Sequence, residues 1–186
     1  MNLHLGILSG MRGALKNWRN RSYIESKFPG TRIDPNVTIR GNLENLRLGK
    51  NVLIQSGVVL HLGGLEWCQN KGYLEIGDNA VISFNTVIYA CGPGGVRIGS
   101  NLDCGPGVGI FASRTDYLLG KDHHVFEPVE IGNNVIIFSH SVISTGVKIG
   151  DGAVVASCST VTRDVLPNSF VGGVPARTIR QNIRKA

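Results

Sequence analysis

The chain has 186 residues, with 19 Lys+Arg against 13 Asp+Glu and a formal net charge of +6, a length that suits one domain with its own core better than two. Its 25 glycines and aromatic share of only 6% argue against a helical bundle or an aromatic-rich sandwich and for a turn-dense fold. The positive excess sits in residues 1–30 and 163–186, each with five basic and one acidic side chain, while the body between them is slightly acidic; a nucleic-acid binder would carry its basic stripe across that body.

The first predicted element is a short amphipathic helix. Leu3, Ile7, Met11, Leu15 and Trp18 recur at spacings of four and three, one face of a helix, with Arg12, Lys16 and Arg19 elsewhere. Phe28-Pro29-Gly30 ends it. Such a helix either caps an open end of the fold or touches an anionic membrane surface through residues 3–19.

From residue 31 the dominant signal is a period of six. Ile131, Ile137, Ile143, Ile149, Val155 and Val161 are the clearest run; Leu48, Ile54, Leu60, then Ile76, Ile82, Ile88, then Ile98, Cys104, Ile110 repeat it, and Ile33 and Ile39 begin it. Six is a multiple of the strand period and not of the helical one, so the same position returns inward at each side of a three-sided coil. Triplets open on Leu48-Gly49, Ile76-Gly77, Ile98-Gly99, Ile131-Gly132 and Ile149-Gly150, followed by turn formers such as Asp78-Asn79 and Asn133-Asn134. A solenoid over 31–166 is predicted, each coil burying its aliphatic residues on the next.

Coil starts at 48, 76, 98, 131 and 149 leave insertions near Glu66–Glu75, at Cys91–Gly95 and over about 111–130. Insertions in a solenoid project from its surface, and the longest is the natural place for chemistry. Residues 167–186 read as a C-terminal tail or helix.

Cys68, Cys91, Cys104 and Cys158 contain no CxxC pair, so no disulfide framework or thiolate metal site is predicted. Cys104 falls on an inward position and reads as a small core residue. With no spanning apolar run and no signal-peptide pattern, the expectation is a soluble cytoplasmic protein.

These hexads resemble the hexapeptide-repeat family, an all-β fold whose members form a left-handed parallel β-helix. Val161-Thr162-Arg163-Asp164, followed by Gly172-Gly173-Val174-Pro175-Ala176-Arg177, resembles the exit of that family's acetyltransferases, in particular the maltose, galactoside and polysaccharide O-acetyltransferase group. The resemblance implies a homotrimer with sites in the clefts between subunits, acetyl-CoA as donor, no metal, and direct attack by a sugar or glycan hydroxyl. It implies CoA contacts at Ser139, Ser157, Thr162, Arg163, Arg177 and Arg180. Acceptor contacts are expected from Ser83, Asn85, Asp116 and Tyr117, with Thr115 beside them.

In similar enzymes a histidine opens the long loop, and here the matching residue is Thr115 in Ser113-Arg114-Thr115-Asp116-Tyr117. A hydroxyl is no general base near neutral pH, whereas imidazole is. His124 or His123 is therefore the expected base, carried back by a folded loop, unless the pair is solvated. His140, after Ser139, ranks third and is expected to face outward; His61 and His4 read as structural or solvated. Thr115 also motivates a second reading, a non-catalytic assembly protein. A sugar N-acetyltransferase and a three-histidine metal site of carbonic-anhydrase type are the remaining alternatives.

Overall fold

The computed structural model describes residues 17–183. Almost all of it is a coil of short strands arranged in three parallel sheets, a left-handed β-helix of triangular section. The first sheet stacks Arg32–Ile33, Leu53–Ile54, Val81–Ile82, Asp103–Cys104, Ile136–Ile137, Val154–Val155 and Phe170–Gly173. The second runs from Thr38–Arg40 through Val59–His61, Val87–Tyr89, Gly109–Phe111 and Val142–Ile143 to Thr160–Val161. The third contains Leu46–Leu48, Leu74–Ile76, Val96–Ile98, Val129–Ile131 and Lys148–Ile149.

The residues of the sixfold pattern, Ile33 to Val161, all lie in one continuous buried cluster. A second inward position, two residues before each, was not part of the sequence pattern: Leu46, Val52, Val58, Leu74, Ala80, Val96, Leu102, Val108, Val129 and Val135 are buried as well. Polar residues also occupy this position: at the first coil the buried Thr31 hydroxyl has no hydrogen-bond partner, whereas further along the hydroxyls are spent on backbone. Ser141 Oγ donates to Phe138 O and Ala156 O at 2.9 and 2.8 Å, and Thr86 Oγ1 to Gly105 O at 3.2 Å, as burial of a hydroxyl requires.

The corner from third to first sheet is held by side chains. Asn51, Asn79, Asn101 and Asn134 all take positive φ, a conformation asparagine tolerates better than other non-glycine residues. Their amides form a ladder, Asn51 to Asn79 at 3.2 Å, Asn79 to Asn101 at 3.2 Å and Asn101 to Asn134 at 3.0 Å. Asp78 and Asp151 accept from the backbone N–H groups of Lys50 and Asn133, both at 2.7 Å.

The outer faces differ in chemistry. On the third sheet Arg47, Glu75, Arg97, Glu130 and Lys148 are in register, so charge alternates from strand to strand, and Lys148 Nζ lies 3.0 Å from Glu130 Oε2. On the first sheet the outward register is Leu53, Val81, Asp103, Ile136, Val154 and Phe170. The second sheet turns outward Val59, Val87, Gly109, Val142 and Thr160.

At the N-terminal side residues 17–27 are helical and end before Phe28-Pro29-Gly30. Ile24 and Phe28 join the core, and the Ile33 N–H donates to Glu25 Oε1 at 3.0 Å, so this segment packs on the first coil. Leu3, His4, Ile7, Met11 and Leu15, the rest of the predicted apolar face and its neighbour, lie outside the described residues.

The predicted C-terminal tail or helix is corrected. Phe170–Gly173 continues the first sheet and Ala176–Arg180 folds back on it antiparallel. Gly172-Gly173-Val174-Pro175 supplies a reversal in which Gly173 has φ +101°, and Val171, buried at 3%, carries the core one strand beyond the hexads.

Candidate active site

All three insertions leave the coil at one corner, between second and third sheets: residues 62–73 after Val59–His61, 91–95 after Val87–Tyr89, and 112–128 after Gly109–Phe111. Successive coils therefore stack their insertions over one another. The contacts between them are close. A Cβ on Gly92 would lie 2.2 Å from the Phe126 ring, and Gly92 has φ +88°, so only glycine lets the longest insertion sit down on the one below it.

The last strand residues before the three insertions, His61, Tyr89 and Phe111, form a column in register, with Arg40 of the preceding coil below His61. The His61 and Tyr89 rings are 4.8 Å apart and the Tyr89 and Phe111 rings 5.9 Å. His61 is 3% exposed; burial, then the positive charge of Arg40, hold its pKa below the ordinary value. Its Nδ1 is 2.9 Å from Cys91 Sγ. Burial pushes the Cys91 thiol up to about 12, so both partners are neutral near pH 7 and the pair is a hydrogen bond between uncharged groups.

The longest insertion is an antiparallel hairpin, Ser113–Thr115 with His124–Phe126, in which Thr115 pairs with His124. Asp116 shapes the far end: its N–H donates to His123 O at 2.8 Å and its carboxylate accepts from Leu118 N at 2.9 Å. Strand alternation separates the two histidines. His123 is exposed. The His124 ring lies 5.1 Å from Trp67 and 6.1 Å from Phe126, and Trp67 is 6.2 Å from Phe126. Between this group and the His61 column opens a cavity of about 290 Å³ lined by Trp67, Tyr89, Phe111, Ser113, Arg114, Thr115 and His124.

Other expected site residues fall elsewhere in a single protomer. Ser83, Asn85, Ser139, His140 and Ser157 occupy the corner between first and second sheets, where Cys158 N donates to Ser139 O at 3.0 Å. His140 is exposed and faces outward. Thr162 is exposed, and Arg163 and Arg177 line one small cavity of about 140 Å³ at the C-terminal end, with Arg180 on the outer strand of the terminal hairpin. Tyr117 stands at the hairpin tip, 82% exposed. Cys104 is fully buried, with its thiol pushed up to about 12 by burial.

Trp67, Tyr89 and Phe111 were missed from the sequence. The available signal was positional: His61, Tyr89 and Phe111 each follow an inward hexad residue, Leu60, Ile88 and Ile110, by one and directly precede an insertion.

The bacterial transferase hexapeptide (six repeats) family model matches residues 128–163. Galactoside O-acetyltransferase of Escherichia coli (strain K12) is 39% identical over 114 residues, 58% of this chain and 54% of that enzyme, so the match spans little more than half of that relative's length. A galactoside acetyltransferase structure in complex with coenzyme A is 28% identical, covers 92% of this chain and 80% of its own, and superposes with a TM-score of 0.58. AntD, an N-acyltransferase from Bacillus cereus, is 22% identical with 87% and 88% covered and a TM-score of 0.72, a likeness of fold. In its sixfold core, its three-sided coil and these matches, the chain is similar to hexapeptide-repeat acetyltransferases.

Proposed function

We propose that this chain is an acetyl-CoA-dependent O-acetyltransferase whose acceptor is a sugar or glycan hydroxyl and whose general base is His124. The observation that carries the reading is the pairing of Thr115 with His124 across the hairpin. Directly opposed residues of an antiparallel pair place their Cβ atoms about 5 Å apart, so an imidazole from the return strand serves the position where similar enzymes carry their histidine.

In this mechanism the His124 imidazole takes the acceptor hydroxyl proton as the oxygen bonds to the thioester carbonyl carbon. The C–S bond then breaks, and the departing CoA thiolate receives the proton. Backbone N–H groups at Ser139 and Ser157 would hold the thioester end. Thr162, Arg163, Arg177 and Arg180 would face the phosphates, a task suited to forked guanidinium groups.

A homotrimer supplies what one protomer lacks. Ser139 and Ser157 sit on a different corner of the prism from His124. The first and second sheets present mainly aliphatic and uncharged rows outward, interrupted on the first by Arg32 and Asp103, while the third presents alternating charges. Apolar faces that are half-buried in the protomer are the natural contacts with neighbours, and the charged face is the one for water. Among the described residues no helix is long and apolar enough to cross a membrane, and dependence on acetyl-CoA favours work in the cytoplasm. Exposed Trp18 and Arg19 are the described part of the segment expected to touch a membrane surface.

The test is acetyl-CoA consumption with a panel of glycosides, nucleotide sugars and glycans. His124→Ala is expected to lower kcat roughly 10²–10⁴-fold, the usual worth of a general base, with His123→Ala close to wild type. Equal activity in both variants would remove His124 from the mechanism, and failure to bind CoA would remove the function.

A further inference from the structure

The cavity beside His124 has aromatic rings on two sides, and its polar groups are unspent. Tyr89 and Phe111 form one wall, stacked on His61, which is pinned from behind by Cys91. Trp67 and His124, with Phe126 behind them, form the other. The polar lining is Arg114 together with Ser113, Thr115 and His124; period-two alternation puts Ser113 and Thr115 on one face of their strand. Among the described residues none of Ser113, Thr115 and His124 has a side-chain hydrogen bond within the chain.

The size and chemistry of this space select a class of occupant. At about 290 Å³ it lies at the low end of ligand pockets, roughly 300–1,000 Å³, room for one ring and not for a sugar with its nucleotide. Aromatic walls bind a flat apolar surface. Several unspent donors and acceptors in the lining call for more than one hydroxyl on the ring's edge. A pyranose has both: a C–H face and an equatorial belt of hydroxyls.

We propose that this slot is the acceptor subsite, that it takes a single pyranose ring by its C–H face, and that Trp67 is its specificity-determining residue. The proposal rests on the transferase reading and deepens it. Trp67 belongs to the 62–73 insertion, which is separate from the His124 hairpin, so this short element sets which ring fits while the hairpin carries the base. The ring lies between Trp67 and the Tyr89–Phe111 wall with one hydroxyl toward His124.

Trp67 also reports on the slot directly. The chain has two tryptophans, and Trp18 lies in the 17–27 helix, outside the cavity, so a Trp18→Phe chain carries its emission at position 67. Full-length Trp18→Phe protein is titrated with methyl α- and β-pyranosides of glucose, galactose and mannose. At least one is expected to shift or quench emission saturably, and to bind roughly tenfold more weakly when Tyr89→Leu is added, a loss of the size expected for one aromatic contact. In turnover, Trp67→Ala is expected to raise the acceptor KM roughly 10–100-fold while kcat and the KM for acetyl-CoA stay within about threefold; Trp67→Phe restores most of the loss.

Outcomes separate the slot from the reaction. Glycoside binding at Trp67 without acetyl transfer to any acceptor would keep the slot and remove the transferase. Acetyl transfer with an acceptor KM unchanged by a folded Trp67→Ala protein would keep the transferase and overturn the slot. No emission change with any pyranoside, or saturable binding of a simple phenol in preference to all of them, would also overturn it.

Discussion

Ile136 and Ile137 are neighbours on one strand with opposite fates, and they allow the core and the proposed interface to be tested separately. Ile137 is 1% exposed and packs in the coil between Cys104 and Val155. Replacing it with alanine removes buried methyl and methylene groups from a stack whose neighbours above and below are fixed by backbone ladders, so little collapse can fill the space. A cost near the middle of the 2–5 kcal/mol range for such truncations is expected, about 3 kcal/mol. For a chain of this size that lowers Tm by roughly 6–12 °C. Ile136 points the other way, in register with Val81's neighbour Asp103 and with Val154. Ile136→Ala should cost the isolated protomer little, whereas Ile136→Asp should put a charge into a subunit contact and split the trimer. Thermal unfolding followed over a hundredfold concentration range, with sedimentation velocity for mass, distinguishes the two. An Ile136→Asp protein that keeps a trimer's mass would refute the assignment of this face, and an Ile137→Ala protein with unchanged Tm would refute the packing argument.

Asn101→Ala removes two rungs of the amide ladder and places a Cβ residue with no helpful side chain at positive φ. A loss of about 1–2 kcal/mol in urea unfolding is expected, with Asn101→Gly losing less because glycine accepts the backbone. His61 binds protons more weakly folded than unfolded, so the unfolded chain takes up more protons below pH 6.5 and stability falls as pH drops through that range toward the lowered pKa; His61→Gln should flatten that slope in unfolding measured from pH 5 to 7. Thiol reagents at pH 8 should leave Cys91 and Cys104 unmodified in the native protein, since burial holds both near 12, and all four cysteines should react after denaturation; rapid labelling of Cys91 in native protein would contradict its burial behind His61.

The coil was legible because its information is local and repeated. Each hexad places an aliphatic residue inward and a turn former at the corner, and Ile76-Gly77-Asp78-Asn79 contains both signals within four residues. The second inward row was harder to see because Ala80, Thr86, Ser141 and Ser159 share it with valine and leucine. Small and hydroxyl side chains suffice there, since the hydroxyls find backbone carbonyls, so no single residue type repeats. The terminal hairpin was missed for the opposite reason. Val171 continues the core off the sixfold register, sixteen residues after Val155, and only the antiparallel partner strand reveals it. The walls of the slot depend on contacts between separate insertions, such as Trp67 with His124 and with Phe126, 57 and 59 positions further along the chain, and no periodicity encodes those.

The hairpin register makes a stricter demand on the proposed chemistry than loss of activity does. If catalysis requires an imidazole at one place in the slot, and Thr115 and His124 approach that place from opposite strands of one ladder pair, the histidine should be movable across the pair. His124→Ala alone removes the base; Thr115→His in that background restores an imidazole about 5 Å away at the level of Cβ, well within the reach of one side-chain rotation. Recovery of at least one-tenth of the lost rate, roughly 1.4 kcal/mol short of full rescue, is expected in the double variant. Asp116→His or Ser113→His in the same background would test the register itself, because neither residue pairs with position 124. A His124→Ala protein that folds, binds CoA and gains nothing from Thr115→His would mean that the imidazole acts from a position the opposite strand cannot reach, and the equivalence of the two strands would have to be abandoned.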